Sequence, residues 1–202
     1  MGAGAIPVVL TFLLVFVAWR FVFSLNKDLV RARAWGELAR RSLPFVGITV
    51  MAATVPVVQG SGGAVPVIWV FGFGLILVAS RFISEPALER RASKTFRQGD
   101  YERAASLYRE LAEQIPLARH WAFLGAALGA GERREEAIEA STRAVELDPQ
   151  YGLAYYNRAL ILRGMGRKSR AMKDLQRALD ADLPRRYRNA ARRTLEEMKE
   201  NK

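Results

Sequence analysis

Cysteine is absent from this chain. That excludes disulfides, thiol nucleophiles, iron–sulfur clusters and cysteine-ligated zinc. Histidine is nearly absent: His120 is the one imidazole among 202 residues. A lone histidine is far more often a surface or capping residue than a ligand or base, and its place beside Trp121 at an expected helix start reads as a surface or capping role. The glycine-rich run Gly60-Ser61-Gly62-Gly63 lacks the lysine of a phosphate-cradling loop. Acidic pairs such as Glu135-Glu136 fall where a solvated helix face is expected. No catalysis, metal or cofactor is expected from this inventory. Charge of either sign is missing from Ser42 to Ser80, a run of 39 residues.

The charge that is present is mostly positive. Lys and Arg number 31 against 20 Asp and Glu, for a net charge of +11. A basic chain attracts nucleic acid, anionic surfaces or acidic partners. No basic stripe with interleaved aromatics occurs, which argues against nucleic acid. Residues 1–80 carry six of the basic side chains and only Asp28 and Glu37 as acids.

Two apolar stretches dominate that first part. The run from about 4 to 25 has the length of a membrane-crossing helix, with Arg20 near its end beside Trp19. Its uncharged start and its Ala18-Trp19-Arg20 ending suit an uncleaved anchor better than a signal peptide. The second stretch is interrupted at Gln59-Gly60-Ser61-Gly62-Gly63, a turn signal, and divides into arms at about 43–59 and 64–81. Gly47, Ala52, Ala53, Gly72 and Gly74 are candidates for close helix packing. The intervening segment 27–41 is amphipathic, with Leu29, Ala32, Trp35, Leu38 and Ala39 on one side. It is expected as an interfacial helix or, equally, as a connector packed on the rest of the chain. The apolar runs predict an integral membrane protein, expected in a bacterial cytoplasmic membrane, and the basic residues in that segment and after residue 80 set its orientation. The N-terminus would lie outside and everything after residue 80 in the cytoplasm.

The remainder has an internal period. Trp121, Gly125, Ala137 and Ala144 recur 34 residues later as Tyr155, Ala159, Ala171 and Ala178. A shift of 33 residues upstream reaches Leu88, Ala92, Ala104 and Leu111. Pro116, Pro149 and Pro184 close the three units, and Gly99, Gly131 and Gly166 are expected in their turns. Small residues at fixed places let paired helices approach, and large ones fill the gaps between pairs. Such units bury their apolar faces only by stacking. In size and spacing they resemble the tetratricopeptide-repeat family over about residues 85–184.

The expected fold is therefore all-α. Three transmembrane helices in a membrane domain (1–83) precede a cytoplasmic repeat solenoid (84–202), with units 85–117, 118–151 and 152–184. A cap helix over 185–200 presents Tyr187, Ala191, Leu195 and Met198 on one face. Ser84 and Pro86 read as the start signal of the first repeat helix.

The resemblance implies a groove lined by the first helix of each unit. Its expected lining includes Arg90, Arg97, Phe123, Ala126, Tyr156, Asn157, Leu160 and Arg163, apolar at the centre and basic at both ends. That composition suits an extended peptide or an amphipathic helix. The alternative is that Phe123, Tyr156 and Leu160 pack against the cap helix or the membrane hairpin. Some family members hold chaperone C-termini through a carboxylate clamp of Lys, Asn and Arg. Asn157 resembles its central asparagine, but Glu89 and Ser93, or Ala122 and Ala126, stand where the clamp is basic. The functional expectation is a membrane-anchored module that recruits or assembles partner proteins, possible companions being a membrane complex and membrane lipids. The alternative is a structural subunit held in a larger membrane complex by its transmembrane helices.

Overall fold

The computed structural model describes residues 5–59, 63–84 and 86–200. Every regular element among them is an α-helix. The chain divides into two compact units, Met1–Ala87 and Leu88–Lys202.

The first unit holds α1 (Ala5–Leu25), α2 (Lys27–Arg31), α3 (Trp35–Gln59) and α4 (Val65–Ser84). α3 packs on both α1 and α4. A polar bond between side chains crosses each pairing. The Trp19 indole donates to Thr49 Oγ1 at 3.2 Å, and the Trp69 indole donates to Thr54 Oγ1 at 3.2 Å. α4 turns Ile68, Phe71, Leu75 and Ile76 outward. Gly72 and Gly74, expected to seat a neighbouring helix, have nothing within 4 Å of where a Cβ would stand.

Two expectations are corrected here. The segment 27–41 is not one helix. Arg33 adopts a left-handed φ of 52°, and the Ala34 amide donates back to the Leu29 carbonyl at 2.9 Å. This wraps the end of α2 and ends it there. α3 then starts at Trp35, so Glu37, Arg40 and Arg41 occupy its opening turns, with Arg40 paired to Glu37. The larger correction concerns the three transmembrane helices and, with them, the integral-membrane localisation. Among the described residues no helix is long and apolar enough to cross a membrane. The uninterrupted charge-free parts of the three long helices run from Ala5 to Trp19, Ser42 to Gln59 and Val65 to Ser80. At about 1.5 Å per residue these reach roughly 22, 27 and 24 Å, short of the roughly 30 Å of a hydrocarbon core. The turn expected at 59–63 falls largely on residues 60–62, outside the described residues. The start signal at Ser84–Pro86 includes Glu85, also outside them; Ser84 itself closes α4.

The second unit is built of helix pairs: α5 (Ala87–Arg97) with α6 (Tyr101–Gln114), α7 (Ala118–Ala130) with α8 (Arg134–Leu147), and α9 (Gly152–Gly164) with α10 (Lys168–Asp180). α11 (Arg185–Glu200) follows. The recurring small residues explain the pairing. Ala92, Gly125 and Ala159 on the first helices, and Ala104, Ala137 and Ala171 on the second, are all buried. A Cβ on Gly125 would stand 3.0 Å from the Ala137 carbonyl and closer still to the Ser141 hydroxyl. Glycine is thus required by the approach of α7 to α8.

Each pair turns through one left-handed residue: Gly99 (φ 84°), Glu132 (φ 63°) and Gly166 (φ 73°). The middle turn differs from the glycine expected there, since Gly131 has φ −85° and ends α7. Asp100 caps α6 by accepting from the Arg103 amide at 3.1 Å.

α11 is joined to the last pair by packing and by hydrogen bonds. Ala191, Leu195 and Met198 enter the core beside Leu175 and Leu183. The Arg188 guanidinium donates to the carbonyls of Leu183, Leu179 and Ala181 at 3.0–3.1 Å. A cation at the end of α10 satisfies carbonyls that have no partner within the helix.

Candidate functional site

The first helices α7 and α9 lie directly against each other; they carry Phe123, Ala126, Tyr156, Asn157, Leu160 and Arg163 of the expected groove, while Arg90 and Arg97 lie on α5. Asn157 fixes the register. Its Nδ2 donates to the Ala122 carbonyl at 3.0 Å, tying α9 to α7. Part of its side chain therefore serves the scaffold. Ala126, Tyr156 and Leu160 are half-buried beside it.

Two aromatic pairs flank the contact. At one end Phe123 meets Tyr108 of α6, ring centroids 5.5 Å apart. Phe123 also packs against both major core clusters. At the other end Tyr156 meets Tyr187 of α11 at 5.4 Å, with the Arg186 guanidinium 4.7 Å from the Tyr187 ring centre. Contact with the cap helix thus accounts for part of Tyr156, which stays half-buried.

The polar groups follow the same division. Tyr108 is nearly buried. Burial, and secondly the Glu89 carboxylate, push its phenol up to about 12 against the opposing pull of the Ser93 hydroxyl and Arg97. Tyr156 is raised as well, by burial first and then by Tyr187, with Arg163 acting the other way. Both phenols therefore stay protonated at ordinary pH; Tyr108 is buried with the Ser93 hydroxyl, and Tyr156 is the half-buried one of the two. Arg97 and Arg163 are exposed, and Arg90 is half-buried on α5.

His120 lies elsewhere than expected. It is 1% exposed, and its Nδ1 lies 2.7 Å from the Ile115 carbonyl. A carbonyl only accepts, so Nδ1 carries the proton. This pins the entry to α7 from within the core, so that of the surface or capping role read from the sequence the surface part does not hold.

Tyr108 and Tyr187 were not among the residues expected to line the groove; both read from the sequence as packing residues. The signal that could have found them is chemical. A tyrosine at a core position needs a polar partner for its hydroxyl, so it marks an edge of the core and not its centre.

Residues 118–151 and 153–183 match the family model described as "Tetratricopeptide repeat". No match was found among the curated proteins. Among solved structures, the chain is similar to the TPR2B-domain:pHsp70 complex of yeast Sti1. The identity is 21% and the TM-score 0.53, over 57% of this chain and 95% of that one. It is similar to the first TPR of Spaghetti bound to the HSP90 peptide SRMEEVD, at 22% identity and TM-score 0.52, over 56% and 89% of the two chains. A third likeness is to the Yersinia enterocolitica type III secretion translocator chaperone SycD, at 20% identity and TM-score 0.52, over 70% and 95%. At these identities the likeness is one of fold.

Proposed function

We propose that this chain, in which residues 118–151 and 153–183 are tetratricopeptide repeats, is a non-catalytic protein-binding module. Its ligand is an apolar or amphipathic peptide segment laid across α7 and α9. The observation that carries this reading is the pair of aromatic contacts, Tyr108–Phe123 and Tyr156–Tyr187, flanking half-buried Ala126 and Leu160. Rigid aromatic side chains with polar tips concentrate binding energy at little entropic cost. Two of the similar structures are complexes, with pHsp70 and with an HSP90 peptide, which supports a peptide as the class of ligand.

An acidic C-terminal peptide of the kind in the Spaghetti complex does not suit this face. Ala122 and Ala126 offer no cation, Glu89 adds negative charge, and the Asn157 amide is engaged with Ala122. Fluorescence anisotropy with labelled SRMEEVD and the full chain should therefore give no saturable binding below about 1 mM. A photo-crosslinker placed at Ala126 should instead capture a partner through an apolar segment, and Phe123→Ala with Tyr156→Ala should reduce capture at least tenfold. Tight binding of SRMEEVD, or capture indifferent to both substitutions, would refute the reading.

A further inference from the structure

A second concave surface lies between α8, α9 and α10, independent of the groove. Its volume is about 400 Å³, and Ile138, Thr142, Arg158, Leu162, Arg167, Arg170, Lys173, Asp174 and Arg177 line it. Arg158 and Leu162 each follow a groove residue of α9 by two positions, about 200° around the helix. The two surfaces therefore use different sides of α9.

The charge here is one-sided. Asp174, the one carboxylate in the lining, is already committed. Arg158 holds it with Nε to Oδ2 at 2.7 Å and Nη2 to Oδ1 at 2.9 Å, and donates through Nη1 to Thr142 Oγ1 at 3.0 Å. That two-pronged pair forms a rigid floor. Arg167, Arg170, Lys173 and Arg177 remain around it, all exposed. None of the four joins an ion pair among the described residues, whereas arginines 109, 133, 134 and 143, on α6, α8 and the turn before α8, pair with glutamates.

The spacing of Arg170, Lys173 and Arg177 sets like charges on one side of α10, an arrangement that disfavours the helix. Arg167 and Arg170 also crowd the start of α10, whose first turn carries no acidic residue and where the helix dipole already disfavours cations. An anion seated there would relieve both effects.

We propose that this cleft binds a compact cluster of phosphates, a di- or triphosphate-type group. Four uncompensated cations within about 15 Å of helix call for several negative charges in a small volume. An extended acidic peptide places same-side carboxylates nearly 7 Å apart and would bring about two to the cleft. A triphosphate delivers its charge within one concavity. Arginine forks suit phosphate oxygens. The lining contains no aromatic side chain on which a base could stack, so single-stranded nucleic acid is disfavoured. The phosphates could belong to a free compound or to a multiply phosphorylated segment of a partner.

Isothermal titration of the full chain with inorganic tripolyphosphate tests the proposal. Saturable 1:1 binding is expected, weakened at least tenfold in Lys173→Glu and unchanged within twofold in Arg143→Glu. The latter makes the same change in net charge outside the cleft. Equal losses in the two variants would reduce the effect to bulk charge and overturn the site. Tighter binding of a hexaglutamate peptide or a single-stranded oligonucleotide than of tripolyphosphate would overturn the ligand class. Circular dichroism on Lys173→Glu confirms that the helices persist, and Arg170→Gln, expected to lose severalfold, provides a second reading. A doubly phosphorylated peptide competing with tripolyphosphate would identify a protein-borne source; a peptide that fails to compete would identify a free one.

Discussion

At the residue scale, proton binding by one buried phenol has a measurable consequence. Tyr108 keeps its proton to about 12 in the folded chain and releases it near 10 once unfolded. Between those pH values the folded state binds more protons, so stability declines as pH rises. The loss attributable to this group is about 2–3 kcal/mol. Urea unfolding at pH 9 and pH 11 should show a steeper decline in the native protein than in Tyr108→Phe, and titration at 295 nm should show one late-ionising tyrosine that the variant lacks. Glycines divide in the same way. A Cβ on Gly152 would lie 2.6 Å from the Leu183 nitrogen and 2.9 Å from the Ala178 carbonyl, whereas at Gly164 it would meet nothing within 4 Å. Gly152→Ala should therefore destabilise by about 1–3 kcal/mol, and Gly164→Ala should be neutral or slightly stabilising, as thermal melts would report. The small-residue positions were readable from the 34-residue period because close packing admits few side chains. The left-handed turn at Glu132 was not, because an adjacent glycine, Gly131, offered an equally plausible site and only the backbone path distinguishes them.

At the scale of elements, one side chain of α11 adds to its core packing a cluster of hydrogen bonds at the end of α10. Arg188 donates to three carbonyls at once, and charged hydrogen bonds of this type contribute about 1.5–3 kcal/mol. Arg188→Ala should speed amide exchange across α10 and α11 at least tenfold while leaving α7 and α8 protected. Uniform loss of protection would show that the stack melts as one block. The face of α11 was legible, since Tyr187, Ala191, Leu195 and Met198 follow the helical period and its last three members are buried. Leu160 and Arg163 followed the same period but gave no sign of how the groove is closed, because the aromatic partners of Phe123 and Tyr156 come from α6 and α11, outside the repeating first helices. In the first unit, hydropathy identified apolar runs but not where helices begin. The left-handed Arg33 moved the break seven residues or more from the charge boundary, and α3 absorbed the basic segment.

For the whole molecule, the excess of positive charge is the dominant long-range term. A net charge of +11 opposes compaction by self-repulsion, and salt screens that repulsion over about 10 Å at 0.1 M. Raising sodium chloride from 20 to 200 mM should increase the melting temperature by roughly 2–4 °C, equivalent to about 1 kcal/mol for a chain of this size. A fall in melting temperature would mean that ion pairs such as Arg133–Glu136 outweigh the repulsion. The repeat helices also impose a dimension. Because the Asn157 amide grips the Ala122 carbonyl, the interval between α7 and α9 is set before any ligand arrives. On the function proposed above, the face across them would work as a ruler, admitting segments whose side chains repeat at its own interval, and one with a different repeat would first have to break that grip.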